Sequence, residues 1–227
     1  MSIATNIESI RETMAEACER TGRALAEVAL IAVSKTVGLA ELAEARAVGQ
    51  HDFAENRTGL FKERQAAYPE ERWHFIGSIQ TNKIKDFVGR ATLVHSLASD
   101  HALIAVARRA RLLGVVQDVL LEVNVSGEVS KDGLRPTGLV RLLELACSEA
   151  GEGLRVRGLM TMAPQGNPVA ARASFCGLRT LRDRYATSWH TPGRIELSEL
   201  SMGMSEDYPL AIEEGATMVR IGRTVWT

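Results

Sequence analysis

Eight short runs rich in β-branched and other apolar residues recur along this chain, each followed or preceded by a stretch with helical spacing. That alternation limits the fold more than any other feature. The runs are Leu30–Lys35, His51–Glu55, Trp73–Gly77, Thr92–Leu97, Gln117–Val125, Arg155–Met162, Glu196–Met202 and Met218–Ile221. Helical spacing fills Leu39–Val48, Thr58–Ala67, Thr81–Phe87, Asp100–Leu113, Thr137–Ala150, Val169–Tyr185 and Glu206–Glu214, and an opening helix runs from about Ile3 to Thr21. Repeated strand–helix alternation predicts a parallel sheet, and eight such strands predict a closed (β/α)8 TIM-like barrel with an extra N-terminal helix. The competing arrangement is an open doubly wound sheet. It is disfavoured by the strand count and by the lack of a GxGxxG turn after the first strand. No helix is expected after the last strand, so the opening helix is expected to close the ring.

Pro136 and Pro168 fall where helices would begin, and Gly49, Gly114, Gly151 and Gly215 where they would end. They punctuate the alternation rather than mark a linker. Residues 1–227 therefore read as a single α/β barrel domain, a common size for this architecture.

A formal net charge of −1 gives no compositional case for binding a nucleic-acid backbone. Cys18, Cys147 and Cys176 lie far apart with no CxxC or Cys/His pairing, and read as reduced, mostly structural thiols. The N-terminal stretch is charged from Glu8 onward, and no apolar run approaches the ~20 residues needed to span a bilayer. A cytoplasmic protein without membrane contact is expected.

In such a barrel the loops after the strands build the site, and phosphate commonly sits after strands seven and eight. Lys35 closes the apolar run Ala29–Thr36 at the end of the first strand. Partial burial there would lower the pKa of its amine and free it for a Schiff base, although many such lysines simply close a strand into solvent. After the seventh strand comes Ser201-Met202-Gly203-Met204-Ser205, whose small residues let backbone N–H groups reach an anion. Ser205 can add a hydroxyl or cap the next helix. Glu206 and Asp207 would repel a phosphate and are expected to point away. After the eighth strand, Gly222 in Val219-Arg220-Ile221-Gly222-Arg223 permits close approach of backbone to ligand. One amine and two anion-suited loops thus share a rim.

Other polar features read as structural. His51, His74, His95, His101 and His190 show no metal spacing, and His74 and His95, in strands, read as hydrogen-bonded core groups, a role for His74 near the site being the lesser alternative. Arg108-Arg109-Ala110-Arg111 reads as a solvated helix face, and Met202 and Met204 as packing residues with Met204 near the site.

The strings Ala32-Val33-Ser34-Lys35-Thr36, Trp73-His74-Phe75-Ile76-Gly77, Gln80-Thr81-Asn82-Lys83, Gly158-Leu159-Met160, Ser201-Met202-Gly203-Met204-Ser205 and Ala216-Thr217-Met218-Val219-Arg220-Ile221-Gly222 closely resemble the pyridoxal phosphate homeostasis proteins. These are single-domain relatives of the alanine racemase N-terminal barrel, the fold-type III group, and the likeness runs from near residue 29 to residue 226. The resemblance implies that Lys35 forms the internal aldimine with pyridoxal 5′-phosphate and that Arg220 lies against the pyridine nitrogen. It implies that Ser205 and the backbone N–H groups of Gly222 and Arg223 hold the phosphate, and that Asn56 lies near the ring's 3-oxygen. Without the resemblance, Asn56 reads equally as a turn or cap after the second strand.

The chain departs from the family pattern in three places, one being Arg223, which stands where small or polar residues are also common, so that its side chain is expected in solvent even where its backbone binds phosphate. Arg57-Thr58-Gly59-Leu60 stands where a Gln-Glu pair is usual, which puts the polar network of the second loop in doubt, and Val225-Trp226-Thr227 replaces an apolar-Phe-Gly finish. Tyr68, Tyr185 and Tyr208 do not match the opposite-face base of the two-domain racemases. The resemblance therefore implies a non-catalytic binding protein that maintains pools of pyridoxal phosphate and, indirectly, of amino and keto acids, with apo-enzymes as recipients and a monomeric state. Two enzymatic alternatives are a low-activity amino-acid racemase or lyase and a cofactor-free Schiff-base aldolase.

Overall fold

The computed structural model describes residues 2–128 and 132–227. Eight parallel strands pair in chain order, and the eighth pairs with the first, so the sheet is a closed barrel and the open-sheet alternative is excluded. The strands are β1 (Ala29–Val33), β2 (Asp52–Glu55), β3 (Arg72–Phe75), β4 (Leu93–Leu97), β5 (Gln117–Glu122), β6 (Leu154–Met160), β7 (Ile195–Ser201) and β8 (Met218–Ile221). The helices are α1 (Ile3–Glu19), α2 (Leu39–Ala47), α3 (Thr58–Ala67), α4 (Asp100–Leu113), α5 (Leu139–Cys147), α6 (Pro168–Ala186), α7 (Tyr208–Glu213) and α8 (Arg223–Trp226).

Side chains alternate across each strand, and the two faces have different company. Leu30 and Ala32 of β1, Phe53 of β2 and Trp73 and Phe75 of β3 join the helices in the main core. Ile31, Val33 and Ala54 form a separate cluster on the other face, inside the ring, and Leu93, Leu120 and Met160 form another. The early ends of β5, β6 and β7 carry charge instead. Arg155 binds Asp118 through two nitrogens at 2.7 and 2.8 Å, and Arg157 reaches Glu196 at 3.0 Å and Glu199 at 3.4 Å. Those half-exposed ion pairs close the floor of the barrel.

Several expected helices differ in detail. The segment expected as a helix over Thr81–Phe87 is a 3-10 run, Thr81–Asp86. Its apolar residues Ile84 and Phe87 are three apart, the period of the tighter helix, and Phe87 stacks on Phe75 at 4.1 Å. The helix expected over Thr137–Ala150 is split into a 3-10 turn Pro136–Gly138, α5, and a second 3-10 turn Glu149–Gly151. Ser148 takes an extended conformation and accepts from the N–H of Ala150, which ends α5 and caps the next turn. Helix α7 starts at Tyr208 rather than Glu206. Asp207 has non-helical dihedrals at its N-cap, and Pro209, which lacks an N–H, fits only the first turn.

Contrary to expectation, a helix does follow the last strand: the single turn α8. The opening helix α1 packs on α2, α7 and α8. Ser2 caps it by accepting from Thr5 N–H, and Ile3, Ile7, Ile10 and Met14, spaced three or four apart, are buried. Asn6, also buried, donates from Nδ2 to the carbonyls of Val225 and Thr227, each at 3.2 Å. The opening helix thus braces the short closing helix over the β8–β1 seam.

The chain's three cysteines are free, with Cys18 buried on α1 and Cys147 exposed. Burial pushes the Cys18 thiol up. No described helix is long and apolar enough to cross a membrane.

Candidate functional site

A cavity of about 560 Å³ opens at the carboxyl ends of the strands. Lys35, Asn56, Ser205, Arg220, Gly222 and Arg223 all line it, so every residue singled out in the sequence meets there. Val33, Ile76, Met160 and Met204 supply apolar wall, and Gln165, Glu206, Asp207 and Trp226 complete much of the rest.

Lys35 stands two residues beyond β1, exposed, so the partial burial expected for it is absent. What fixes it is the turn around it. The guanidinium of Arg64, from α3, donates to the carbonyl of Ser34 at 2.5 Å and also to that of Val37, gripping the main chain on both sides of Lys35. The same guanidinium pairs with the fully buried carboxylate of Glu55, whose Oε1 also accepts from Ser34 Oγ at 2.6 Å. Burial lowers the pKa of Arg64. From the other end of the chain, the Trp226 indole N–H donates to the Val33 carbonyl at 2.7 Å. The loop whose network the missing Gln-Glu pair called into question therefore has one, built from Glu55 and Arg64. The unusual Trp226 is part of the site wall.

Asn56 follows β2 and is exposed in the cavity. Its main chain is pressed by the β3–β4 loop. A Cβ added at Gly77 would lie 2.1 Å from the Asn56 carbonyl oxygen, so only glycine lets the two strand ends approach this closely.

Arg220 is buried at 4% exposure in the middle of β8. Its Nη1 donates to Ser201 Oγ at 2.6 Å and its Nη2 to the Thr161 carbonyl at 3.1 Å. Burial lowers its pKa to about 10, with the charges of Glu122 and Asp207 working the other way. It remains a cation at any ordinary pH. Glu122, buried at the end of β5, is pushed up to about 7 by burial, with the Asp132 charge adding to the rise and Arg220 opposing it.

The two anion-suited loops meet as expected, with one correction. Glu206 and Asp207 line the cavity instead of pointing away from it, and each is already engaged. Glu206 pairs with Arg223 at 3.0 Å, and Asp207 accepts from the Met204 N–H at 2.6 Å. Burial raises the Asp207 pKa, which the Met204 bond partly offsets. Ser205 is not the cap of α7, because that position belongs to Asp207. Among the described residues, the backbone N–H groups of Ser205, Gly222 and Arg223 have no protein acceptor. Gly203, at φ +93° and with Ala211 Cβ 2.6 Å from where its own would be, turns the loop so that its carbonyl accepts from Arg220 N–H at 3.0 Å.

His74 and His95 are hydrogen-bonded core groups, as expected, and no described cluster of His, Cys, Asp and Glu could hold a metal ion. Arg64, Glu55 and Asp207 were not legible as site residues. Arg64 acts on a turn 27 to 30 positions earlier, and nothing in its local sequence signals that.

Comparison with known proteins identifies the family. The family described as alanine racemase, N-terminal domain, matches residues 3–227. A pyridoxal phosphate homeostasis protein of Aquifex aeolicus is 39% identical over 225 residues, covering 98% of this chain and 96% of that one. Its counterpart in Deinococcus radiodurans is 39% identical over the whole of both chains. Among solved structures, PipY of Synechococcus elongatus with PLP bound covers all of both chains at 32% identity and a TM-score of 0.84. An alanine racemase of Streptomyces lavendulae shares the fold alone, at 18% identity and a TM-score of 0.73, and this chain covers 56% of it. Matched by the family over residues 3–227 and 39% identical to relatives that it covers almost completely, the chain belongs to the alanine racemase N-terminal domain family and, within it, to the pyridoxal phosphate homeostasis proteins.

Proposed function

We propose that this protein binds pyridoxal 5′-phosphate in the barrel mouth, holds it through Lys35 and helps maintain the cell's supply of it. The observation that carries the proposal is the gathering of one primary amine, one buried guanidinium and three unpaired backbone N–H groups around a single 560 Å³ cavity. The fit is chemical as well as spatial. The cofactor offers an aldehyde, which joins a lysine amine reversibly as a Schiff base, and a phosphate, which suits unpaired N–H donors. Arg220 faces the cavity as a fixed cation, so a ring nitrogen beside it stays unprotonated, because two like charges would otherwise meet. Asn56 is available to the ring's 3-oxygen, and Met160, Met204 and Ile76 offer the ring an apolar wall.

We read the cavity as one that holds the cofactor rather than one built for two-sided racemisation. No tyrosine lines it among the described residues, so an opposite-face base of the kind a racemase needs is not provided there. The open, exposed position of Lys35 suits release of the aldehyde to an incoming amine, with PLP-dependent apo-enzymes as the recipients. We read the protein as a monomer working in the cytoplasm.

The purified protein should absorb in the visible range, and borohydride should bleach that colour while fixing the cofactor to the peptide that contains Lys35. Lys35→Ala should lose the colour; a variant that stays equally yellow would refute the site. Chiral analysis after incubation with single-enantiomer amino acids should show no conversion above Lys35→Ala. Sustained conversion would replace homeostasis with the racemase or lyase reading, and colourless protein that takes up no cofactor would leave the aldolase.

A further inference from the structure

A continuous line of hydrogen bonds rises through the barrel interior from its floor to the Arg220 guanidinium. It begins at Asp52, the first residue of β2, whose Oδ1 lies 3.2 Å from Nε2 of His74 in β3. His74 Nδ1 lies 2.9 Å from Nε2 of His95 in β4, the two rings meeting edge to face. His95 Nδ1 lies 2.9 Å from Oγ of Ser201, the last residue of β7, and that oxygen accepts from Arg220. Strands β4 and β7 are not neighbours, so the third link crosses the ring. His95 and Ser201 are wholly buried.

The two ends dictate the protons between them. A carboxylate can only accept, and a guanidinium can only donate. His74 therefore carries its proton on Nε2 and presents a bare Nδ1, His95 does the same, and Ser201 turns its hydroxyl hydrogen toward His95 while its lone pair receives Arg220. Each member then has a partner on both sides. Reversing the third link would leave the buried Ser201 hydroxyl hydrogen without an acceptor, because its other partner, Arg220, can only donate. Burial above all, with the Arg220 charge adding to it, holds the His95 pKa well below its usual value, which agrees with a neutral ring.

We propose that His74, His95 and Ser201 are positioning residues for Arg220, forming with Asp52 a proton-ordered chain that fixes the face the guanidinium turns to the ring nitrogen of bound pyridoxal phosphate. The proposal rests on the placing of Arg220 beside that nitrogen given above. Ser201 and the Thr161 carbonyl occupy Nη1 and Nη2 from within the barrel, so the guanidinium cannot turn without losing both. The chain reaches Ser201 through one atom, Oγ, so one methyl-sized substitution tests it.

The test has a readout independent of cofactor. In protein labelled with 15N-histidine, long-range 1H–15N spectra near neutral pH should show His74 and His95, assigned through His74→Gln and His95→Gln, both as neutral Nε2–H tautomers. A His95 found as the Nδ1–H tautomer or as imidazolium overturns the chain outright. Ser201→Ala should turn His95 into a mixture of tautomers, shift the absorbance maximum of the pyridoxal phosphate complex and weaken retention by about tenfold, roughly 1.4 kcal/mol. Ser201→Thr, which keeps the oxygen, should restore all three. Arg220→Lys separates the two ideas. If it shifts the cofactor spectrum and Ser201→Ala does not, the positioning proposal fails while the placing of Arg220 stands. If Arg220→Lys leaves the spectrum unchanged, it is the placing of Arg220 that fails, whatever the tautomers show.

Discussion

Glu122, an acidic side chain near Arg220, has a charge that changes close to neutral pH. Its folded pKa, raised from 4.5 to about 7, means that the folded protein holds a proton there that the unfolded chain has released. The stability associated with that proton is complete below the unfolded value and is lost as pH rises through about 7. Replacing the group with a neutral isostere removes the dependence. Wild type should therefore lose stability relative to Glu122→Gln as pH rises from about 5 to about 8, by at most about 3 kcal/mol, as read from urea melts at the two pH values. A difference that does not change with pH would show that Glu122 titrates normally. That Lys35, Ser205, Gly222 and Arg223 share one rim was legible because each sits in a short string beside a strand end, where sequence neighbours are also neighbours in space, whereas Arg220, inside β8, was placed by the family resemblance. Glu122 was not legible. It ends an ordinary apolar strand run, and its surroundings come from Asp132 and from β8, nearly a hundred residues on.

At the scale of elements, the turn between β1 and α2 depends on α3. Arg64→Ala would free the Ser34 and Val37 carbonyls and leave the Glu55 carboxylate buried without its cation, so a loss of about 3–5 kcal/mol is expected. Denaturation of the cofactor-free protein measures it, and borohydride trapping should show Lys35 reacting in a less defined setting. A loss below about 1 kcal/mol would mean that water replaces Arg64 without penalty. The β3–β4 loop is equally constrained. Gly77→Ala drives a methyl into the Asn56 main chain, and cofactor retention should fall while Lys35 can still be trapped. Unchanged retention would mean that the loop yields and that Asn56 holds nothing. The alternation of strands and helices was legible throughout because period-two and period-3.6 patterns survive in single sequences. The misplaced boundaries follow from local chemistry that the pattern does not carry. Pro209 delays α7, Ser148 interrupts the fifth helix, and a three-residue apolar spacing tightens the segment after Thr81 into a 3-10 run.

Across the whole molecule, the ring is held shut by residues from both extremes of the sequence. Asn6 in α1 supports the carbonyls of Val225 and Thr227, and Trp226 supports Val33. Asn6→Ala should cost about 1–2 kcal/mol through two lost bonds to main-chain carbonyls. It should also free the Trp226 indole, so the tryptophan emission should move toward that of exposed indole before global unfolding. Emission that changes only with unfolding would show that α8 stands without α1. The sequence pattern predicted the closed ring but assigned its closure to α1 alone. A four-residue helix is too short to leave a periodic signature, and α8 went unseen for that reason.

The β8–β1 pairing and the Trp226 bond to Val33 bring a further consequence, during synthesis. The cavity wall draws on residues from 33 to 227, so a growing chain that has made Lys35 has none of the Ser205, Arg220 or Gly222 side of the pocket until β8 leaves the ribosome. Contacts of such long sequence separation form late and together. A nascent or prematurely terminated chain would carry Lys35 without the loops that, on the proposed reading, hold the phosphate. The complete cavity would then appear in one step, when the last strand closes on the first.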